Sequence, residues 1–85
     1  MNDRTYAGIL ADVSEIIYSL NEVATKEVSE SDSLQDDLDL DSLPLVEMAC
    51  AAEDKFGIAI PQEDLFEFRT VADVTSYVHK RLDRA

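Results

Sequence analysis

The chain has 85 residues, 46% of them hydrophobic, which predicts one small domain over residues 1–85 with a modest core. Nineteen acidic against seven basic residues give a formal charge of −12, which argues against binding nucleic acid or anionic membranes and favours protein partners with basic patches. The single cysteine, Cys50, excludes an intramolecular disulfide, and without a secretory leader or a long apolar run we expect a cytoplasmic protein.

An amphipathic helix and a long acidic loop are predicted for the first half of the chain. The helix runs from about Asp3 to Leu20, because its apolar residues recur every three or four positions. Residues 21–41 break that pattern, and a loop this long is more often functional than idle. Four isolated apolar residues are expected to hold the loop on the core: Val28, Leu34, Leu38 and Leu40.

The next helix is predicted from about Ser42 to Phe56. Its apolar side is formed by Leu45, Val46, Ala49, Ala52 and Phe56. Pro44 is tolerated there because it lies in the first turn, where backbone N–H groups have no intrahelical partner. Gly57 is well placed to end this helix in the left-handed conformation.

A short helix and a final helix complete the predicted fold. Pro61 is a start signal for a short helix around Glu63 to Phe68. Thr70 and Asp73 resemble a capping box ahead of a last helix over about Val71 to Leu82. We therefore predict an all-α fold, a small antiparallel bundle of three main helices and one short helix with a long loop between the first two helices.

The stretch DDLDLDSLPLVEM, residues 36–48, concentrates aspartates ahead of a helix. As a calcium loop beginning at Asp37 it supplies acidic ligands at the first positions. Ser42 then replaces the glycine of the sharp turn, and Met48 stands where a bidentate glutamate is required. We predict no metal site, and a divalent-ion sensor is the weakest alternative.

Ser42 admits two further interpretations. Asp41 or Ser42 can cap the helix, which fits an acidic helical adaptor that carries nothing. A serine at a helix N-terminus also favours a phosphate ester on its hydroxyl. His79 is far along the chain and no glycine-rich oxyanion loop is present, so another enzyme would have to modify Ser42.

Asp41-Ser42-Leu43 at the start of the second helix resembles the hallmark of the acyl carrier proteins. LQDDLDLDSL, LVEM, AAEDKFGIAIP, EDL and TVADVTSYV follow the order and spacing of that family, most strongly from Val28 to Tyr77. The resemblance implies a 4′-phosphopantetheine arm on Ser42, transferred from coenzyme A by a phosphopantetheinyl transferase. It also implies a free-standing carrier and not an enzyme.

The resemblance further implies a partner surface and an acyl pocket. The partner surface would comprise Asp41, Leu43, Glu47, Met48, Glu53 and Asp54. Its expected partners are an acyl-loading ligase or acyltransferase and synthase, condensing or tailoring enzymes with basic docking patches. The pocket lining would comprise Val46, Ala49, Cys50, Ile60, Leu65, Phe68 and Val74. Cys50 is expected to be a small buried hydrophobe, and the charge favours a monomer.

Two departures from the family pattern bear on the cargo. Asp39 replaces a glycine that is usual before the Asp-Ser pair, and Pro44 occupies a position that is often acidic in fatty-acid carriers. These departures favour polyketide or lipopeptide biosynthesis over fatty-acid biosynthesis. Asp41 argues against a peptidyl carrier and Leu43 against an alanyl carrier. Both of these related carrier classes remain as alternatives.

Overall fold

The computed structural model of the protein describes residues 5–20, 28–38 and 40–84. Of residues 83 and 84 it describes the backbone only. Four helices follow in chain order: α1 (Tyr6–Leu20), α2 (Ser42–Phe56), α3 (Gln62–Leu65) and α4 (Val71–Arg84). Within these ranges there is no strand, only an isolated bridge between Ser33 and Thr70. The predicted all-α bundle is confirmed, and none of the described helices has the length and apolarity needed to cross a membrane.

The core forms where α1 packs against both α2 and α4. Apolar spacing predicted the buried residues of the first and last helices, which are Ile9, Val13, Ile16 and Ile17 on α1 and Val71, Val74, Val78 and Leu82 on α4. Burial of each such side chain contributes roughly 1.5–3 kcal/mol. Tyr6, Leu10 and Leu20, on the same predicted side of α1, are only partly buried. The predicted helix start at Asp3 lies outside the described residues.

The loop before α2 is held on the core as predicted. Leu34, Leu38 and Leu40 are buried, and Val28 is partly buried and packs against the core. Backbone hydrogen bonds join the same loop to the segment ahead of α4, since the Leu34 N–H donates to the Arg69 carbonyl over 2.9 Å. The loop is therefore a structured part of the bundle where the structure describes it.

The predicted boundary signals of α2 and α4 are confirmed. Gly57 follows α2 with a φ of 68°, in the left-handed region, and its N–H donates to the Glu53 carbonyl. At the start of α4 the Asp73 N–H donates to Thr70 Oγ1 over 3.3 Å. The Asp73 carboxylate in return accepts from the N–H groups of Thr70 and Arg69. This is the reciprocal bonding of a capping box.

The short helix differs from its prediction. α3 ends at Leu65, so Phe66 and Phe68 are not part of it. The N–H groups of Glu67 and Phe68 donate to carbonyls three residues back, at Asp64 and Leu65. Hydrogen bonds between residues three positions apart form tight turns of the 3₁₀ type, which do not extend an α-helix.

Two predictions about α2 were wrong. Met48, expected on the partner surface, is fully buried, and Cys50, expected in the interior, is exposed. The buried stripe of α2 consists of Leu45, Met48, Ala49 and Ala52. Because each residue advances about 100° around a helix, Cys50 is turned about 200° from Met48 and lies on the opposite side.

Candidate functional site

Ser42 is the first residue of α2, and its side chain is exposed. Asp41 precedes it in an extended conformation, and the Asp41 carbonyl accepts the first helical hydrogen bond from the Leu45 N–H over 2.9 Å. The side chain of Asp41 is exposed and makes no capping hydrogen bond, so the predicted side-chain cap by Asp41 is absent. No described residue hydrogen-bonds to the Ser42 hydroxyl either. The hydroxyl is therefore accessible at a helix terminus that favours a phosphate group.

Two buried leucines hold Ser42 in place from either side. Leu40, two residues before it, is buried and donates its N–H to the Leu34 carbonyl over 2.7 Å. Leu45, three residues after it, lies on the buried side of α2. The segment that carries the hydroxyl is thus exposed but anchored at both ends.

The aspartates before Ser42 shape the loop. The carboxylate of Asp37 accepts from the Ser33 N–H over 2.7 Å, and the Asp36 N–H donates to Ser33 Oγ over 3.1 Å. Asp39, which we singled out as a departure from the family, lies outside the described residues. In the described part of the chain, no three acidic, histidine or cysteine side chains converge in a way that could hold a metal ion.

Four exposed residues form a stripe along α2, which we call the α2 stripe: Leu43, Glu47, Cys50 and Asp54. Their spacing of four, three and four residues places them on one side of the helix. Leu43 is 69% exposed directly beside Ser42. A large exposed apolar side chain next to the candidate attachment point, followed by acids and a thiol, is a surface suited to protein contact. Sequence reasoning missed Cys50 here, although its spacing from Leu43 and Glu47 was available as a signal.

Glu53 was predicted for the partner surface, but it has a structural contact. Its carboxylate Oε2 accepts a hydrogen bond from the backbone N–H of Ile60 over 2.7 Å, and the side chain is only partly exposed. Glu53 therefore holds the segment after Gly57 against the end of α2. The spacing of apolar residues along α2 does not predict a hydrogen bond between one of its side chains and the backbone beyond the helix.

The residues predicted to line an acyl pocket divide into three groups. Ala49, Ile60, Leu65 and Val74 are buried in the hydrophobic core. Val46 and Phe68 are partly buried and pack against it. Cys50 is exposed and lies outside any interior pocket.

Tyr77 joins α3 to α4. Its hydroxyl donates to Asp64 over 2.9 Å and accepts from the Arg81 guanidinium over 2.6 Å. Its ring also packs edge-on against Phe68, with 5.2 Å between centroids. Burial raises the pKa of Tyr77 above its ordinary value, which favours the protonated hydroxyl that links Asp64 to Arg81.

Comparison with known proteins identifies the family to which this arrangement belongs. A family model described as "Phosphopantetheine attachment site" matches residues 11–78. The chain is 47% identical over 72 residues to an acyl carrier protein of Thermobifida fusca, a match covering 85% of this chain and 91% of that protein. It is 41% identical over 76 residues to an acyl carrier protein of Rhodococcus erythropolis, covering 89% and 84%.

Two further similarities concern a longer relative and a solved structure. The chain is 45% identical over 76 residues to a meromycolate extension acyl carrier protein of Mycobacterium leprae, covering 89% of this chain but only 66% of that protein. The crystal structure of an acyl carrier protein from Thermotoga maritima superposes with a TM-score of 0.81 at 24% identity, covering 93% and 92%. That likeness shows that the helical bundle has the same fold as this solved acyl carrier protein.

The residues present fit the group that the family attaches, since Asp41, Ser42 and Leu43 combine an accessible hydroxyl with a helix N-terminus. The matched region also includes all of α2 and α3. The chain therefore belongs to the acyl carrier protein family, whose members are carriers bearing covalently attached 4′-phosphopantetheine rather than enzymes.

Proposed function

We propose that Ser42 is the attachment site and that the chain carries acyl groups as thioesters on the arm. The observation that carries this proposal is the exposed Ser42 hydroxyl at the uncapped start of α2, anchored by Leu40 and Leu45. During loading, a bond forms between Ser42 Oγ and phosphorus of coenzyme A. The diphosphate bond of coenzyme A breaks, adenosine 3′,5′-bisphosphate leaves, and the serine proton passes to the transferase. The attached arm supplies the thiol to which an acyl group is joined.

The chain's own residues would then present the cargo. Leu43 supplies an apolar contact beside Ser42, and Glu47 and Asp54 supply charge along the same stripe. With a net charge of −12, the domain would be steered toward basic docking patches, and salt would weaken that steering. Asp41 adds an exposed acid at the end of the stripe. Glu53 would act indirectly, by keeping the end of α2 in shape.

The proposed partners are a phosphopantetheinyl transferase, an acyl-loading ligase or acyltransferase, and the enzymes that extend or tailor the chain. The name of the Mycobacterium leprae relative refers to meromycolate extension, which supports cargo of the fatty-acid type. The preference for polyketide or lipopeptide biosynthesis, drawn from Asp39 and Pro44, stays a prediction. So do the monomeric state, the cytoplasmic location and the single-domain extent over residues 1–85.

Loading tests the proposed function. The apo protein is incubated with coenzyme A, magnesium and a phosphopantetheinyl transferase of broad specificity, and the intact mass is measured. We expect wild type to gain one phosphopantetheinyl unit. Ser42→Ala should gain none, while Ser31→Ala, which removes an exposed hydroxyl from the same loop, should load like wild type.

Failure of folded wild-type protein to load with several transferases would contradict the proposal. That result would leave Ser42 as the first residue of a helix in an acidic adaptor. Loading of Ser42→Ala would place the attachment on another residue. Subsequent incubation with acyl, aminoacyl and alanyl donors would separate an acyl carrier from its peptidyl and alanyl siblings.

A further inference from the structure

A cleft of about 730 Å³ lies between the turn of residues 33–36 and the segment of residues 66–69. None of the residues that line it comes from α2. It is thus distinct from the predicted acyl pocket among the helices, and it has Phe68 as its only residue in common with that prediction. The function derived for Ser42 and the α2 stripe makes no use of it.

The lining of the cleft combines the aromatic rings of Phe66 and Phe68 with polar and charged side chains, namely Ser33, Gln35, Asp36, Glu67 and Arg69. Phe66 is 52% exposed, and Phe68 is partly buried against Tyr77. Gln35 and Arg69 are exposed at the same cleft, and among described residues nothing hydrogen-bonds or pairs with the Arg69 guanidinium. An exposed phenylalanine beside an unpaired arginine, on a domain with seven basic residues, suits a ligand that is partly apolar and partly polar.

Backbone hydrogen bonds bring the cleft next to Ser42. The Leu34 N–H donates to the Arg69 carbonyl over 2.9 Å, and the Leu40 N–H donates to the Leu34 carbonyl over 2.7 Å. Ser42 follows Leu40 by two residues, which span at most about 7 Å of extended chain. A group tethered to Ser42 therefore starts close to the cleft, and tethering gives it a high effective concentration there.

We propose that this cleft holds the pantetheine part of the arm when Ser42 is loaded, a proposal that rests on the attachment function of Ser42. Pantetheine has a geminal dimethyl group that would lie against the rings of Phe66 and Phe68. Its hydroxyl and amides match the hydrogen-bonding side chains of Gln35 and Arg69. The chain then stores its arm against its own surface between visits to partner enzymes, on a face separate from the α2 stripe.

The test uses the full chain, isotopically labelled, loaded from coenzyme A and checked by intact mass. Nuclear Overhauser cross-peaks are recorded from the geminal methyl protons of the arm to the protein. We expect cross-peaks to the ring protons of both Phe66 and Phe68. In Phe66→Ala the cross-peaks to Phe68 should be lost, with the fold verified from the amide spectrum.

A pair of charge variants tests the polar side of the cleft. Arg69→Gln should shift the arm's amide resonances, whereas Lys55→Gln, an exposed cation outside the cleft lining, should leave them unchanged. If the mass shows loading but the methyl groups contact neither ring, the cleft proposal is overturned while Ser42 attachment stands. If no mass is added, the proposed function fails, and this inference fails with it.

Discussion

The carboxylate of Glu53 accepts a hydrogen bond from the backbone N–H of Ile60 over 2.7 Å. Between the two residues the chain reverses at Gly57, which ends α2 in the left-handed conformation. The contact fixes the segment that leads from α2 into α3. An acid that sequence reasoning placed on the partner surface thus stabilises the fold.

Replacement of Glu53 by alanine should lower stability. A hydrogen bond to a charged group contributes about 1.5–3 kcal/mol, and the Ile60 N–H would lose its partner. Asp54→Ala removes the exposed neighbouring acid and should change the free energy of unfolding by less than about 0.5 kcal/mol. Urea denaturation of both variants measures the difference. Equal stability of the two would show that the Glu53–Ile60 bond is unimportant in solution.

Met48 and Cys50 provide a test of which side of α2 faces the core. Met48→Ala should cost about 2–5 kcal/mol, because it leaves a cavity in a fully buried position. Cys50→Ala should change stability little, since the thiol is exposed. A thiol reagent should also modify Cys50 in the folded protein. Slow modification of Cys50 together with a mild effect at Met48 would mean that α2 is rotated the other way.

Charge reversal tests the α2 stripe. Glu47→Lys and Asp54→Lys should each slow loading by the transferase at low salt, because they place a cation where a basic patch docks. Glu63→Lys makes the same change in net charge on α3 and is the matched control. The catalytic efficiency of loading is measured across ionic strengths. We expect the difference between stripe and control variants to shrink as salt rises, and equal effects at all three positions would contradict a localised docking face.

Two partly buried tyrosines, Tyr6 and Tyr77, predict a loss of stability at alkaline pH. Burial raises the pKa of Tyr77, and burial with a hydrogen bond to Glu30 raises that of Tyr6, above the ordinary value of 10.0. The fold therefore favours the protonated phenols. Their contribution is complete below pH 10 and is lost as pH rises through the folded pKa, because the unfolded chain releases its protons first.

Thermal unfolding between pH 8 and 11 checks this prediction, with pH values chosen on either side of the ordinary tyrosine pKa. Tyr77→Phe should be less stable than wild type throughout, since it loses the bond to Asp64. Its melting temperature should nevertheless fall less steeply above pH 10. A slope equal to that of wild type would assign the alkaline loss to other groups.

Much of the fold could be predicted because its signals are local. Apolar spacing located α1 and α4, Gly57 marked the end of α2, and Thr70 with Asp73 marked the start of α4. These features depend on residues within a few positions of one another. The exposed Ser42 at the start of a helix was predictable for the same reason.

The errors arose where several interpretations satisfied the same local pattern. α2 contains so many small and apolar residues that its spacing fits more than one buried side, and packing against α1 decides in favour of Met48. The segment containing Phe66 has a composition typical of helices, yet its hydrogen bonds close tight turns. The Glu53–Ile60 bond and the cleft beside Arg69 depend on contacts across the fold, which spacing along the chain does not reveal.

The central claim, that Ser42 carries the arm, is tested most directly by locating the added mass within the loaded chain. Trypsin releases a peptide of residues 27–55, which contains Ser42 and also Ser29, Ser31 and Ser33. Fragmentation of that peptide should place one phosphopantetheinyl unit on Ser42, with the fragments that end before Asp41 unmodified. Finding the phosphopantetheinyl unit on Ser29, Ser31 or Ser33 would contradict the account. So would a loaded protein whose peptide 27–55 carries no added mass.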